Sequence, residues 1–381
     1  MPLMVAELAG AGALAVWLYL LIGRGGFWLE FCSLGQLAGR GPSGAPRIAA
    51  IVPARNEADV VGRAIASLAH QEYAGEFRIV LVDDDSADGT AGAARAAAPP
   101  EVLTVIRAAP AAAGWTGKVW ALSQGIREAA RSEPDYLLLA DADIEHPPGS
   151  LRTLAARAES GGYDLVSYMA TLACRTPAER SLVPAFVFFF FLLYPPAWIR
   201  SPHRRTAGAA GGCLLIRRAM LERIGGMAAI GGALIDDCAL ARAVKHHGGR
   251  VWLGLDTGTL SLRQYATFRA IGRMISRTAF AQLHHSVLLV AGTAAGLALT
   301  FLVPPLLTLA VPQPVRGIGA MAWLLMSVAY FPALRFYRCP WFMAPLVPLA
   351  ALFYLGATVH SALSYWRGAG GMWKGRAQDL A

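Results

Sequence analysis

Charged residues are scarce in this sequence: Asp, Glu, Lys and Arg make up 15% of its 381 residues, whereas hydrophobic residues make up 55%. A soluble globular chain carries charge on about a quarter of its residues, so the composition disfavours a wholly soluble protein. The length is sufficient for one large domain with appendages or for two domains. We therefore predict a membrane protein with a soluble part.

Cysteine is also sparse, and the five cysteines form no CxxC pair. An odd total without paired spacing argues against a disulfide framework and against a cysteine-based metal cage. We predict reduced thiols that pack as small apolar groups. The five residues are Cys32, Cys174, Cys213, Cys238 and Cys339.

No lysine or arginine precedes the first apolar run, which extends from Met4 to Gly23. A secretory signal peptide would begin with positive charge, and this run has the ~20 residues that a spanning helix needs, so we predict a retained anchor. Arg24, Arg40 and Arg47 follow it. By the positive-inside rule, these arginines place the next domain in the cytoplasm.

Three further apolar runs lie near the C-terminus, at Val287 to Val311, Ile318 to Pro332 and Phe342 to Leu363. The middle run is short, and Pro304 and Pro305 interrupt the first. Membrane spans are expected here, but the number of spans and the side of the C-terminus stay open.

A separate apolar run, "PAFVFFFFLLYPPAW" from Pro184 to Trp198, is bounded by prolines and is shorter than a spanning helix. We predict a re-entrant or interfacial segment, which would deliver a lipid to a nearby site. Burial in the protein core is the alternative.

Between Arg47 and Leu255, short β-rich runs alternate with helical ones. "RIAAIVPA" and "FRIVLVDDDS" have the apolar character of buried strands, and "EADVVGRAIASLAHQ" between them has apolar residues at helical spacing. This alternation predicts a parallel sheet that is covered by helices on both faces. Ligands bind such sheets beyond the carboxyl ends of the strands.

Acidic residues cluster where three of these strands end, in "PARNE", "DDDSADGT" and "DADIEHPP". Aspartates at such positions are often turn residues or helix caps, but their coincidence on one edge favours a site. In an extended segment Asp141 and Asp143 would point the same way, and a hard divalent ion, Mg²⁺ or Mn²⁺, would compensate their charges. His146 is interpreted as a polar surface residue.

Six ordered motifs resemble family 2 glycosyltransferases of the GT-A fold: "AAIVPARNEADVV", "IVLVDDDSADGT", "GWTGKVWALSQG", "LLLADADIEHPP", "AGGCLLIRRAMLERIGG" and "IDDCALARAVKHHG". The N-terminal anchor, "FVFFFFLLYP" and the apolar C-terminus are most similar to the hopene-associated glycosyltransferases of bacteria. The resemblance implies a mostly parallel α/β sheet that binds a nucleotide diphosphate sugar.

The resemblance also implies roles for individual residues. The nucleotide would be held by Pro53, Arg55, Glu57, Asp83 and Asp84, the metal by Asp143 with Asp141 sharing the ion or serving the ribose, and the base would be Asp237 with Asp236 as second choice. Glu57 fits equally well as a first-turn carboxylate that the helix dipole favours, and the Asp236–Asp237 pair as helix caps.

Three basic residues are candidates for binding the diphosphate. Lys118 lies near a predicted helix start, where a cation and free N–H groups suit a phosphate, although it could be a solvated lysine. Arg273 and Arg277 stand where membrane-bound relatives carry a Gln-x-x-Arg-Trp motif that is absent here. Their i, i+4 spacing puts both on one helix face, where they suit a phosphate or a lipid headgroup.

The sequence thus predicts a multi-pass protein of the bacterial inner membrane with a cytoplasmic catalytic domain. It would be a metal-dependent inverting glycosyltransferase that uses a nucleotide diphosphate sugar, most simply a UDP-sugar, and a lipid acceptor such as a hopanoid, with no nucleic-acid partner. Alternatives are a polyprenyl-phosphate or other glycolipid sugar transferase, a nucleotidyltransferase and a non-catalytic sugar-nucleotide-binding membrane protein.

The predicted division of the chain follows from these runs and motifs. It comprises an anchor at 1–23, a linker at 24–46, a GT-A domain at 47–265 with the interfacial segment at 184–199, an amphipathic interfacial helix at 266–285, a C-terminal transmembrane region at 286–366 and a polar tail at 367–381.

Overall fold

The structure, a computed structural model, describes residues 2–32, 44–367, 372–373 and 376–377. Parts of the predicted linker, with Arg40, and most of the predicted polar tail lie outside the described residues. The chain divides into two compact units. One contains the N-terminal helix and the segments Cys174–Ala197 and Tyr265–Trp373, and the other contains the chain from residue 44 to Ala173 and from Trp198 to Gln264.

An eight-stranded mixed sheet forms the centre of the second unit. Its strands are β1 (Ile48–Ala54), β2 (Phe77–Asp83), β3 (Leu103–Arg107), β4 (Tyr136–Ala140), β5 (Ile144–Glu145), β6 (Leu165–Thr171), β7 (Cys213–Arg217) and β8 (Val251–Ser261). Their order is β3-β2-β1-β4-β7-β6-β8-β5. β1 pairs in parallel with β2 and β4, and β2 with β3, whereas β7 runs antiparallel to β4 and β6. The predicted α/β fold class is confirmed.

Fifteen α-helices are described along the chain, and two short strands near the C-terminus form a separate pair. The helices are α1 (Pro2–Leu18), α2 (Val61–Ala69), α3 (Thr90–Ala97), α4 (Gly117–Ala129), α5 (Ser150–Gly161), α6 (Pro177–Leu193), α7 (Pro196–Arg200), α8 (Arg218–Arg223), α9 (Asp236–His246), α10 (Phe268–Ser276), α11 (Ala279–Gln282), α12 (Val287–Leu297), α13 (Val303–Ala310), α14 (Val315–Phe336) and α15 (Val347–Trp366). The last strands are β9 (Met372–Trp373) and β10 (Arg376–Ala377).

The central strands are apolar because both faces of the sheet are covered. Every residue of β1 and of β4 is buried, as the near-continuous apolar runs predicted. α4 packs closely on this sheet because Gly125 has no side chain: a Cβ there would lie 2.5 Å from Ile51 and 2.8 Å from Val82. This contact brings the beginning of α4 to the carboxyl edge of the strands.

Five described segments are long and apolar enough to cross a membrane. They are Leu3–Gly23, Pro177–Arg200, Val287–Ala310, Val315–Phe336 and Trp341–Trp366. Four of them coincide with the predicted N-terminal and C-terminal runs. This finding agrees with the prediction of a membrane protein with several spans.

The phenylalanine-rich segment lies within Pro177–Arg200, which is long and apolar enough to cross a membrane. The expectation that it is too short to span is therefore wrong. α6 begins at Pro177, where Thr176 and Glu179 form a capping box, and it continues through Pro184. Within this unit Phe188 packs against Tyr330 and is fully buried, which agrees with the alternative of burial among helices. Placement of the segment at the membrane interface stays a prediction.

Candidate active site

The carboxyl ends of β1, β2 and β4 lie at one edge of the sheet because these strands are parallel neighbours. The predicted acidic stretches therefore lie side by side, as the alternating pattern indicated. Asp83 ends β2, and its Oδ1 accepts a hydrogen bond from the N–H of Ser86 at 3.1 Å. Arg55 donates to the carbonyl oxygen of the buried Asp84, and its Nη1 also lies 3.5 Å from Oδ2 of that residue.

A cavity of about 280 Å³ opens beside Asp83. Its polar lining combines both charges: Asp83, Asp85, Ser86, Arg95 and Arg107. Arg107 forms an ion pair with Asp85. The cavity thus offers carboxylate acceptors and guanidinium donors to a polar ligand at the end of β2, where the nucleotide was predicted.

Lys118 lies near the carboxylates of Asp141, Asp236 and Asp237. It occupies the first turn of α4, which Thr116 caps through a bond from the N–H of Val119. Nζ of Lys118 lies 2.8 Å from Oδ1 of Asp141 and 3.2 Å from Oδ2 of Asp236. Burial alone would lower the pKa of Lys118, but these carboxylates outweigh burial and raise it, so the ammonium stays charged. Lys118 is therefore not the solvated surface lysine that was the alternative interpretation.

Asp237 is held by two backbone donors near the same lysine. Its Oδ2 accepts from the N–H of Gly211 at 2.8 Å, and its Oδ1 accepts from the N–H of Cys238 at 2.7 Å. Burial and the adjacent Asp236 raise the pKa of Asp237 to about 6, against the lowering effect of Lys118. A carboxylate with a pKa close to neutral pH is suited to accept a proton.

These groups line one small cavity. Its wall includes Pro53, Lys118, Asp141, Gly211, Asp236 and Asp237. The structure therefore brings together the predicted base, its second choice, the predicted phosphate-binding lysine and one of the two predicted metal-binding aspartates.

Asp143 has a different environment from Asp141. The strand ends at Ala140, and the N–H of Ile144 donates to the carbonyl oxygen of Asp141, so the two aspartates lie in a turn. The alternation of an extended strand does not apply to them, and that expectation is wrong. Asp141 pairs with Lys118, whereas Oδ2 of Asp143 accepts from Nε of Arg263 at 2.8 Å.

Arg263 is a residue of this site that the sequence did not indicate. It follows β8, and its Nη2 also donates to the carboxylate of Glu57. Glu57 is 8% exposed, so this charge is compensated by an ion pair and not by solvent. No local motif marks Arg263, because its two partners lie 120 and 206 positions away in the sequence.

His146 is buried, contrary to its interpretation as a surface residue. It is 3% exposed, and within the described part of the chain neither ring nitrogen has a hydrogen-bond partner. Burial lowers the pKa of His146 to about 4, although the charge of Asp256 acts in the opposite direction. The ring is therefore neutral at physiological pH.

α9 also fixes the loop that leads to Gly211. Nζ of Lys245, in the last turn of α9, donates to the carbonyl oxygens of Ser201, Arg204 and Thr206 at 2.8 to 3.0 Å, and the carbonyl oxygen of Trp198 lies 3.3 Å away. The loop is thus tied to the same helix that carries Asp237.

Asp141 and Asp143 offer carboxylate oxygens, the type of ligand that a hard divalent ion prefers. Among the described residues, no group of three or more His, Cys, Asp and Glu side chains could hold a metal. Mg²⁺ in nucleotide enzymes uses only one or two carboxylates and completes its shell with water and phosphate. Asp141 is paired with Lys118 and Asp143 with Arg263, so a metal ion would compete with these two cations for the carboxylate oxygens.

Arg273 and Arg277 belong to the unit that contains the apolar helices. Both are exposed, and Ile271 and Ile275 form the buried side of α10. Their predicted role at the diphosphate stays a prediction.

The fold is that of a GT-A glycosyltransferase. The chain is similar to the mannosyltransferase PcManGT from Pyrobaculum calidifontis, solved with GDP-Man and Mn²⁺, with 18% identity, a TM-score of 0.59 and coverage of 94% of this chain and 99% of the other. Lower scores relate it to S. aureus TarS 1-349 with UDP-GlcNAc (15% identity, TM-score 0.41, coverage 87% and 95%). Glucosyl-3-phosphoglycerate synthase from Mycobacterium tuberculosis, with Mg²⁺ and UDP, gives 16% identity, a TM-score of 0.38 and coverage of 61% and 79%.

The family is indicated by sequence. Residues 49–225 match the family model described as Glycosyl transferase family 2. Over these residues the chain is similar to family 2 glycosyltransferases, the family that the ordered motifs resemble. No curated protein matches the chain in sequence.

Proposed function

We propose that this protein is a membrane-bound inverting glycosyltransferase that transfers a sugar from a nucleotide diphosphate sugar to a lipid acceptor. A hopanoid is the first acceptor to test, and the catalytic domain is proposed to face the cytoplasm at the inner membrane. The five apolar segments support a lipid-soluble acceptor, and the Pyrobaculum enzyme with a similar fold was solved with a donor of the proposed class.

The observation that carries the proposal is the position of Asp237. Its carboxylate is fixed by the N–H groups of Gly211 and Cys238, and its pKa is raised to about 6. In a single displacement, Asp237 accepts the proton of the acceptor hydroxyl while that oxygen attacks the sugar. Asp236 is held by Lys118, so it is the less suitable base.

The remaining residues bind the donor. Asp83 and Arg55 border the nucleotide, and Lys118, which stays charged, neutralises part of the diphosphate. A Mg²⁺ or Mn²⁺ ion held by Asp143 and Asp141 would supply further charge neutralisation for the departing diphosphate. Arg273 and Arg277 are proposed to contact the diphosphate or lipid headgroups.

The experiment is incubation of membranes that contain the protein with a panel of labelled UDP-sugars and GDP-sugars, followed by mass analysis of the extracted lipids. We expect a new glycolipid that disappears in Asp143→Ala and Asp237→Asn. Transfer of a nucleotidyl group, or full activity of Asp237→Asn, would favour a nucleotidyltransferase. No turnover with any donor would favour a binding protein, and an unchanged hopanoid profile in a deletion strain would exclude the hopanoid acceptor.

A further inference from the structure

Two cysteines that the proposed reaction does not use are in contact. The Sγ atoms of Cys174 and Cys339 lie 3.6 Å apart, although 165 positions separate them in the sequence. Cys174 lies between β6 and α6, and Cys339 lies in the loop after α14. Both belong to the unit with the apolar helices, and both lie outside its five candidate spans.

The two thiols differ in their readiness to ionise. The hydrogen bond from Cys174 lowers the pKa of Cys339, and the positive charge of Arg180 acts in the same direction. The same hydrogen bond, followed by burial, raises the pKa of Cys174. Because the thiolate is the nucleophilic form, these shifts favour Cys339 as the attacking thiol and Cys174 as the thiol that reacts second.

Both cysteines are also partly exposed. Cys174 and Cys339 are half-buried, whereas Cys213 and Cys238 are buried. Burial raises the pKa of Cys213 well above its usual value, so that residue is a poor nucleophile. The buried Cys213 and Cys238 can therefore serve as reference thiols for the partly exposed pair.

We propose that Cys174 and Cys339 form a redox-sensitive dithiol that a peroxide converts into a disulfide. The Cys339 thiolate attacks the peroxide O–O bond, which gives a sulfenic acid and releases hydroxide or alkoxide. The Cys174 thiol then attacks the sulfenic sulfur, the S–S bond forms, and water leaves. The two sulfur atoms lose two electrons in total, and the peroxide gains them.

The disulfide would join the beginning of α6 to the loop after α14. α6 begins with an ordered turn, in which Glu179 accepts bonds from the N–H groups of Arg175, Thr176 and Tyr265. Closing a long loop removes more conformational entropy from the unfolded chain than closing a short one. The oxidised protein should therefore unfold at a higher temperature than the reduced protein.

The test uses the full-length protein in detergent with Cys32→Ser, which removes the exposed lone thiol and leaves four of the five cysteines. After peroxide treatment, the protein is denatured and labelled with N-ethylmaleimide, and the adducts are counted by intact mass. We expect the count to fall by two, a disulfide-linked peptide pair that contains Cys174 and Cys339, and full recovery after dithiothreitol. Cys213→Ala should lose the same two thiols.

Single variants test the order of attack. In Cys174→Ser, Cys339 should accumulate as one sulfenic acid that dimedone traps, and in Cys339→Ser, Cys174 should stay reduced at the same peroxide dose. The thermal midpoint should rise on oxidation only when both cysteines are present. Retention of all four labels, or a two-thiol loss that persists in either single variant, would overturn the proposal.

Discussion

Nε of Arg263 donates to Oδ2 of Asp143 at 2.8 Å, and this bond joins the end of β8 to the turn after β4. The same guanidinium binds Glu57, whose side chain is 10% exposed. One cation therefore compensates two carboxylates at the edge of the sheet. Removal of this cation would leave both negative charges in a poorly solvated place.

The first prediction concerns this cation. Arg263→Met should lower the free energy of unfolding by about 2 kcal/mol, because a partly buried pair is broken and two carboxylates remain uncompensated. Arg263→Lys should recover only part of the loss, since an ammonium cannot present two N–H groups in a fork. Thermal unfolding in detergent measures both.

The matched control is Arg63→Met, which breaks an exposed pair with Glu145 at 2.7 Å. An exposed pair contributes roughly 0 to 1 kcal/mol, so this variant should unfold close to the parent protein. Equal effects of Arg63→Met and Arg263→Met would show that Arg263 has no special role.

The second prediction concerns the base. Asp237→Asn should reduce kcat by roughly 10²- to 10⁴-fold, because the acceptor proton loses its recipient. In the parent protein kcat/KM should fall as the pH falls through about 6, because protonated Asp237 cannot accept a proton.

Asp236→Asn separates the two neighbours. The charge of Asp236 raises the pKa of Asp237, so its removal should shift the acidic limb of the pH profile to lower pH. Loss of activity in Asp236→Asn with retention in Asp237→Asn would reverse the assignment of the base.

The third prediction concerns the close approach at Gly211. A Cβ at this position would lie 3.3 Å from Oδ2 of Asp237 and 3.3 Å from Nζ of Lys118. Gly211→Ala should therefore displace the base and lower kcat by about tenfold to a hundredfold while the protein stays folded. Gly92→Ala in α3, where a Cβ meets nothing within 4 Å, is the control and should retain full activity. Parental kcat in Gly211→Ala would refute this account.

The fourth prediction concerns His146. Its pKa is about 4 in the folded protein and 6.5 as the reference value, so unfolding takes up a proton between these pH values. Stability should be fully present above pH 6.5 and should decline as the pH falls towards 4, by roughly 3 kcal/mol in total. His146→Leu should flatten this dependence in thermal unfolding. His203→Leu, at an exposed position, controls for the loss of a histidine, and an unchanged slope in His146→Leu would contradict the prediction.

The strands and the acidic edge could be predicted because both depend on local pattern. The buried runs of β1 and β4 are continuous in sequence, and parallel pairing alone brings Asp83 and Asp141 to one edge. The capping box at Thr176 and Glu179 was also readable as a Thr-x-x-Glu signal, and it would have placed the beginning of α6 correctly.

The remaining features depend on contacts between distant segments. Arg263 reaches Asp143 over 120 positions, and no periodicity records such a pairing. The burial of His146 has the same origin, since the residue is polar in a polar stretch and only the packed structure encloses it. The prediction that Asp141 and Asp143 point the same way assumed an extended strand, but β4 ends at Ala140 and the two residues lie in a turn.

The partners of Lys245 in the loop from Trp198 to Thr206 are all main-chain carbonyl oxygens. Every amino acid supplies such an oxygen, so the anchorage is indifferent to which side chains the loop carries. Substitution of the exposed His203 or Arg205 should therefore leave the path of the backbone unchanged. The exposed side chains of the loop can therefore differ while its attachment to the helix that carries Asp237 is kept.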